Sequence, residues 1–532
     1  MKLLRHPIII ALGLTTIILM LFIEPLTKFM EAGLAYHLAA PVSVIILPPL
    51  IIFSAVWALM TLFVFLANRY PRPGRYIRMA LALIVLREII EAIYTHFQRP
   101  VPWSANAIFI LIVLLSFITI SIASTRNLPI WSRGRQFFET VLSFVALSGS
   151  ITLIQLVNIG WQARHLNTPR PLHQPVASAT HRDRILWIVF DELSYSQLYT
   201  QRYSGVKLPE FDRLAAASTV FTNVKPAEYY TEIVFPALMT GIPIDKIRIP
   251  AAGYPLGIQN ASTKQWKVFD PHQTVFQDAL DAGYSTGIDG WYNPYCRLLS
   301  SVLDHCFWTN AYPLTVRGPF NSTSVADNLA HVLRQLLYPR ARTLEINMEP
   351  EEEWSPAGTR LHQRDYFTLR DRGDKMLNDP SINFLMLHLP IPHPGGIYDR
   401  KTDTFPATHG TYIDNLVLCD AYLKHVREEL EANGTWDSTT LVIMGDHSWR
   451  TVLPGNNGWS VHGDWTPEEQ KASNGAQFDD RPGYIVKMPR QHTPARVDTR
   501  FAALRTRQLF DGMMHGSITT PDQLVAWASQ GN

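Results

Sequence analysis

Five long apolar runs fill the first 160 residues, at about 7–24, 40–67, 76–97, 103–124 and 137–160. Each supplies the roughly 20 residues that a helix needs to cross a bilayer core. A soluble domain has no interior for five such segments in a row, so residues 1–160 predict a transmembrane domain of five helices. The first run follows Lys2 and Arg5, as a signal peptide would. It is longer than a typical signal core and further spans follow it, so it reads as a retained anchor. Orientation comes from the short loops. Lys2 and Arg5, then Arg69, Arg72 and Arg75, then Arg126, Arg133 and Arg135 fall on one side, and the opposite loops are poorer in Lys and Arg. That side, with the N-terminus, is expected to be cytoplasmic. An odd number of spans then places everything after residue 160 outside the cytoplasm.

The third run carries Arg87, Glu88 and Glu91. Ionisable groups are costly within a membrane and are usually paired or functional. Arg87 and Glu91, four apart on one helical face, make either an internal ion pair or a polar wall near lipid headgroups. Residues 161–184, WQARHLNTPRPLHQPVASATHRDR, have no apolar period and read as a linker. Its basic residues belong to a plain connector or lie along phospholipid headgroups.

Residues 185–532 have the composition of a soluble domain with chain enough for a large core. The formal charge of +2, with no polybasic tail and no basic stripe with interleaved aromatics, excludes any expectation of nucleic-acid binding. None of Cys296, Cys306 and Cys419 sits in a CxxC pair, so a thiolate zinc site is not expected. Cys296 and Cys306 are close in sequence. They form a disulfide if the domain lies in an oxidising compartment and are otherwise two free thiols. Cys419 reads as core on an amphipathic helix.

Strand and helix patterns alternate through this half. RILWIVFDEL (184–193) is a buried strand ending in two acids. TVFQDALDAGYSTGIDGWY (274–292) reads as helix, glycine stop and strand. INFLMLHLP (382–390) is a buried strand that reaches His388. YIDNLVLCDAYLKHVREELEANG (412–434) is a helix, and STTLVIMGDHSW (438–449) a strand ending in Asp446 and His447. This order implies a central, mostly parallel sheet with helices on both faces.

Functional groups of such domains gather at the carboxyl ends of the strands. Asp191 and Glu192, His388, and Asp446 with His447 stand there, and each type binds metals. Carboxylates with an imidazole suit one divalent ion such as Zn²⁺ or Mn²⁺. A further ligand that is also a nucleophile would gain from the metal, which lowers the pKa of a hydroxyl. Thr231, in YYTEIVFPALMTG, precedes a short helical pattern ending at Gly241. It is either an ordinary helix cap or that nucleophile, placed where amide N–H groups stabilise an alkoxide or a phosphate.

At these residues the chain resembles the sulfatase-like branch of the alkaline phosphatase superfamily. Within it the chain resembles the membrane-bound phosphoethanolamine and phosphoglycerol transferases and lipoteichoic acid synthases. IVFDEL matches the strand that ends in acidic metal ligands, and Thr231 stands ten residues before Gly241, with Pro236 five residues on. HLPIPHPGG matches paired histidines, giving His388 and His393; GDH gives Asp446 and His447; VHGDW singles out His462. Ser448 follows His447 where the family often has glycine. Asp191 and Glu192 compete as first ligand, with Asp191 favoured. The Cys and Arg of the sulfatase signature are absent, which disfavours sulfate-ester hydrolysis.

The resemblance implies a sulfatase-like catalytic domain on a five-helix bundle in a bacterial inner (plasma) membrane, facing the periplasm or exterior. It implies metal ligands Asp191, Thr231, Asp446 and His447, with Glu192 as the competing ligand. Thr231 would attack an outer-leaflet phospholipid donor, and the phospho-headgroup would pass from it to a glycan or glycolipid acceptor. His393 or His462 would act as acid or hold phosphate, and His388 would be catalytic or support the site from behind. A phosphodiesterase, with water as acceptor, and a non-catalytic lipid-binding regulator on the same fold are the alternatives.

Overall fold

The computed structural model describes residues 6–31, 43–96, 129–163, 172–174, 183–248, 255–310, 324–337, 356–451 except 407 and 409, 466–474 and 478–530, with scattered positions between 107 and 126. Four long helices are described in the N-terminal part: α1 (Pro7–Glu31), α2 (Ser43–Arg69), α3 (Pro71–His96) and α4 (Pro129–Ala163). Among the described residues, Ile46–Arg69 and Ser132–Asn158 are the segments long and apolar enough to cross a membrane. The expected run at 103–124 falls largely outside the described residues.

Two glycines explain how α1 and α4 meet. A Cβ on Gly13 would stand 2.1 Å from Leu142 O, and one on Gly149 would stand 2.0 Å from Thr16 Oγ1. Only small residues let two helix backbones approach so closely. Ile10, Leu14 and Ile17 of α1 then bury against Leu142, Val64 and Leu81. On its other side α4 exposes Phe137, Phe144, Leu147, Ile151 and Ile154 along one face. Within α3, Glu88 is buried and Arg87 half-buried. The side chain of Glu91 lies outside the described residues, and so does the expected Arg87–Glu91 pair.

The second part is built on an eight-stranded sheet. Its strands are β1 (Ile185–Asp191), β2 (Thr219–Phe221), β3 (Thr286–Trp291), β4 (His305–Thr309), β5 (Phe384–Pro392), β6 (Thr440–Gly445), β7 (Tyr484–Lys487) and β8 (Ala495–Val497). They lie in the order β8-β2-β7-β6-β1-β5-β3-β4. β1 pairs in parallel with β6 and β5, and β3 in parallel with β5 and β4. β7 runs antiparallel to β6 and β2. The mostly parallel α/β sheet is therefore present.

Its helices include α5 (Pro209–Ala216), α6 (Thr231–Thr240), α7 (Val275–Asp281), α8 (Val325–Leu337), α9 (Pro356–Leu377), α10 (Tyr412–Ala432) and α11 (Thr506–Met514). Alternation along β1 sorts them. Ile185, Trp187 and Val189 pack towards α6, α7 and α11, while Leu186, Ile188 and Phe190 pack towards α5, α9 and α10. Both faces are covered, which is why β1 reads as a continuous apolar run rather than an alternating one. α8 instead packs on α2, where Asn328 Nδ2 donates to Val44 O at 2.9 Å.

Cys296 and Cys306 form a disulfide, and Cys419 is a buried free thiol on α10. The linker docks against the disulfide loop: His173 N donates to Leu303 O at 2.9 Å, and His173 Nδ1 lies 2.7 Å from Asp304 Oδ1. Gly290 on β3 carries the ring of Tyr295, since a Cβ there would lie 2.4 Å from the ring carbons. Gly290→Ala forces that buried ring aside. It is expected to lower stability by about 1–3 kcal/mol, the usual cost of overpacking a core, measured by thermal unfolding of the detergent-solubilised protein.

Candidate metal centre and nucleophile

β1 and β6 are neighbours, so their carboxyl ends bring Asp191 beside Asp446 and His447. The register of β1 against β5 shifts at this point, with Phe190 opposite Leu389 and Asp191 opposite Pro392. The chain then turns sharply at Glu192, which has φ 67°, in the left-handed region. A non-glycine residue there marks a backbone held in place by its surroundings. Here Glu192 N donates to Asp446 Oδ1 at 2.9 Å, and Tyr412 Oη donates to Glu192 O at 2.8 Å.

Thr231 is the first residue of α6, and Tyr230 is the cap. The helix ends at Gly241, whose φ of 66° suits a residue without a Cβ. Thr231 Oγ1 makes no capping bond. It donates to Asp446 Oδ2 at 2.9 Å and lies 3.4 Å from both Asp191 Oδ2 and His447 Nε2. The cap reading of Thr231 is thus replaced by a hydroxyl aimed at the carboxylates, with the amide end of α6 behind it.

The remaining hydrogen bonds free ligand atoms toward this hydroxyl. Asp446 Oδ1 accepts from Glu192 N and from His447 N at 2.7 Å, which leaves Oδ2 for the site. His447 Nδ1 lies 3.0 Å from Ser448 O. A carbonyl only accepts, so Nδ1 carries the hydrogen and the Nε2 lone pair faces Thr231. Asp191 Oδ1 is buried and has no hydrogen-bond partner among the described residues. The ligand atoms of Asp191, Asp446 and His447 lie within 4.8 Å of one another, and so do those of Asp191, Glu192 and His393.

The electrostatics call for a cation. Burial, and next the charge of Asp446, push the Asp191 carboxyl well above its usual range. Burial raises Asp446 to about 7 and pulls His447 down to about 3. Asp191, Glu192 and Asp446 are all buried, and the guanidinium that compensates them is Arg450. Arg450 Nε donates to Glu192 Oε1 at 2.7 Å, and Arg450 N donates to Glu192 Oε2 at 3.1 Å. Among the described residues, three carboxylates against one guanidinium leave two negative charges in a dry site when all are ionised. A divalent ion matches that deficit and the orphaned oxygen of Asp191. The donor set of carboxylates, imidazole and hydroxyl fits Zn²⁺ or Mn²⁺.

The two histidines of β5 and its following turn part company. His388 is buried beneath the site, its ring 4.3 Å from that of Phe235 and its Nδ1 2.9 Å from Tyr295 Oη. Burial lowers its pKa to about 3, which favours the neutral ring, and its buried Nε2 has no hydrogen-bond partner among the described residues. His393 lies at the mouth, half-buried, with Nδ1 2.8 Å from Pro394 O and its ring 5.6 Å from Trp291. Asn415 Nδ2 donates to His393 O at 2.9 Å, which ties this turn to α10. His462 lies outside the described residues.

Several contributors carry no clear signal in the sequence. Asn293 Nδ2 donates to Thr231 O at 3.3 Å. His362 of α9 is buried, with Nε2 2.7 Å from Pro390 O and its ring stacked on Trp291 at 5.8 Å. A lone histidine in a polar helix gives nothing to read. Arg450, three residues beyond His447, is legible only as a charge in a buried segment.

The sulfatase family model matches residues 183–471, more than half of the chain. No curated protein gives a significant sequence match. Among solved structures, the phosphonate monoester hydrolase of Agrobacterium radiobacter is similar over 66% of this chain and 78% of its own, with 14% identity and a TM-score of 0.38. A protein in the alkaline phosphatase superfamily from Vibrio parahaemolyticus is similar over 68% and 76%, with 13% identity and a TM-score of 0.36. Murine ectonucleotide pyrophosphatase/phosphodiesterase 5 is similar over 64% and 96%, with 10% identity and a TM-score of 0.34. The family match runs from the strand that ends in Asp191 past the one that delivers Asp446 and His447, and the chain belongs to the sulfatase family.

Proposed function

We propose that this protein transfers a phospho-headgroup, phosphoethanolamine or phosphoglycerol, from a membrane phospholipid to a glycan or glycolipid hydroxyl, through a covalent intermediate on Thr231. The observation that carries the reading is the Thr231 hydroxyl held 2.9 Å from Asp446 Oδ2 at a helix start, inside a buried carboxylate–imidazole cluster. A threonine there suits phosphoryl chemistry. The formylglycine of sulfate-ester hydrolysis needs a Cys or Ser that this position lacks.

Asp191, Asp446, His447 and Thr231 would hold the divalent ion. Asp191 is favoured over Glu192 because Arg450 already occupies the Glu192 carboxylate. When bound, the ion supplies Lewis-acid stabilisation of charge on oxygen. The chain's own residues do the rest. Thr231 Oγ1 forms the bond to phosphorus as the bond to the diacylglycerol oxygen breaks, and its hydrogen passes along its existing bond to Asp446 Oδ2. His393, whose Nδ1 lies 2.8 Å from Pro394 O, would be the acid, its protonated ring giving a proton to the leaving oxygen. The acceptor hydroxyl then attacks phosphorus and gives its proton to His393, while the bond from phosphorus to Thr231 Oγ1 breaks and Asp446 Oδ2 returns its proton to that oxygen. His462 would share the phosphate-holding role.

The membrane placement belongs to the same proposal: five spans, an N-terminus in the cytoplasm and a catalytic domain outside a bacterial inner membrane. The exposed apolar face of α4 supports contact with lipid rather than water. The Cys296–Cys306 disulfide supports an oxidising compartment. A tethered site meets its lipid donor at high effective concentration.

Incubation with headgroup-labelled phospholipid, followed by intact mass spectrometry, is expected to reveal one adduct on Thr231 with the mass of the phospho-headgroup. Thr231→Ala should abolish the adduct and reduce transfer by at least about 10³-fold. Turnover without an adduct would sink the covalent route. Donor consumed at equal rate with and without an acceptor would make the enzyme a phosphodiesterase. Unchanged cellular function in Thr231→Ala, with no metal bound, would favour the lipid-binding regulator.

Chelation is expected to remove activity, and Zn²⁺ or Mn²⁺ to restore it. Asp191→Asn should lose the metal by elemental analysis, whereas Glu192→Gln should retain it and lose stability by about 3–5 kcal/mol, through the unpaired Arg450.

Binding the ion displaces protons from carboxyls raised by burial. Metal affinity, read by calorimetry, should therefore climb as pH rises towards about 7, set by Asp446, and level off above it. The metal-free protein should show the opposite sense. Its raised carboxyls are stabilising below their unfolded pKa, and that stability is lost as pH rises through about 7.

A further inference from the structure

A cavity of about 380 Å³ opens between α1, α2, α3 and α4. That volume lies within the ~300–1,000 Å³ of ligand pockets. Ile10, Leu14, Val64, Met79, Leu81 and Phe138 give it apolar walls. One end is polar, where Asn68, Arg78, Arg135 and Glu139 meet. Glu139 is taken by Arg135, with Arg135 Nε 2.7 Å from its carboxylate. Arg78 Nη1 donates to Ala67 O at 2.7 Å, and its buried Nε has no hydrogen-bond partner among the described residues. Among the described residues, two guanidinium groups from different helices thus share one end of an apolar chamber with a single carboxylate.

The chamber is remote from the catalytic site. It touches α4 no further along than Leu142, and α4 continues to Ala163 before the chain leaves for the catalytic domain. At about 1.5 Å per residue, that distance is roughly 30 Å, a bilayer core's thickness. A lipid here lies in the leaflet opposite the one that the catalytic domain faces, so the donor site does not account for it.

We propose that this cavity binds one anionic phospholipid, with an acyl chain between the four helices and its phosphate between Arg78 and Arg135. An anion suits the site because it relieves the like charges of the guanidinium pair and satisfies the orphaned Arg78 donor. The proposal rests on the membrane-spanning reading above and is independent of Thr231 chemistry.

The test is native mass spectrometry of the full chain in detergent, loaded with phosphatidylglycerol or phosphatidylcholine. The wild type is expected to keep one phosphatidylglycerol through detergent exchange and to release phosphatidylcholine. Arg78→Gln should weaken retention at least tenfold. Ala82→Phe should abolish it by filling the chamber with both arginines intact, and Thr231→Ala should retain the lipid. Equal retention of the two lipids, or phosphatidylglycerol retention unchanged in both chamber variants, overturns the proposal. If those variants do not fold, competition on the wild type decides: phosphatidylcholine displacing phosphatidylglycerol at equal concentration overturns the site, and failure to displace it supports it. Release of the chain from membranes by carbonate without detergent would instead overturn the membrane-spanning reading itself.

Discussion

Two carboxylates side by side in a dry interior are the constraint on which the α/β half depends. Asp191 and Asp446 end adjacent parallel strands, buried among apolar side chains on both faces of the sheet. Alone they repel, and burial penalises each charge. Everything around them answers that penalty. Backbone amides of Glu192 and His447 bind one oxygen of Asp446, the Thr231 hydroxyl binds the other, and Arg450 sits nearby against Glu192. Among the described residues, one oxygen of Asp191 and a residual negative charge remain unanswered, as a site that could hold a cation would leave them.

The supporting structure has a consistent logic. β1, buried along its whole length, serves both cores and carries Asp191 at its end. α6 brings Thr231 in its first turn to the cluster, its hydroxyl on Asp446. α10 and α9 do not enter the site but hold its mouth. Asn415 fastens the turn bearing His393, and His362 fastens the preceding backbone at Pro390 O. The site is therefore made rigid by hydrogen bonds to backbone carbonyls, which do not titrate, rather than by surface ion pairs.

Parts of this arrangement are legible in the amino-acid sequence. The strands ending at Asp191 and at Asp446–His447 can be read there because strands buried on both faces leave unbroken apolar runs, and polar groups stand out at their ends. α10 announces itself by periodicity, and its Thr411–Asp414 capping box explains where it starts. His388 is ambiguous in the sequence because a strand-end histidine looks the same whether it faces the site or the core. Only the fold shows that it is buried against Phe235 and Tyr295. Glu192 is equally ambiguous beside Asp191. A turn in the left-handed region sends adjacent side chains to different partners, which no linear pattern reveals.

By itself the sequence determined the division into an apolar and a soluble half, the parallel α/β order and the chemical types at the strand ends, because hydrophobic periodicity and strand length are local properties. The tertiary structure decided which of those groups meet. It set Thr231 against Asp446 across 215 positions of chain, gave Arg450 to Glu192, and left Asp191 Oδ1 without a hydrogen-bond partner among the described residues. Such choices depend on strand order, register and turn geometry. These are settled by packing over the whole domain, and no local stretch of residues encodes them.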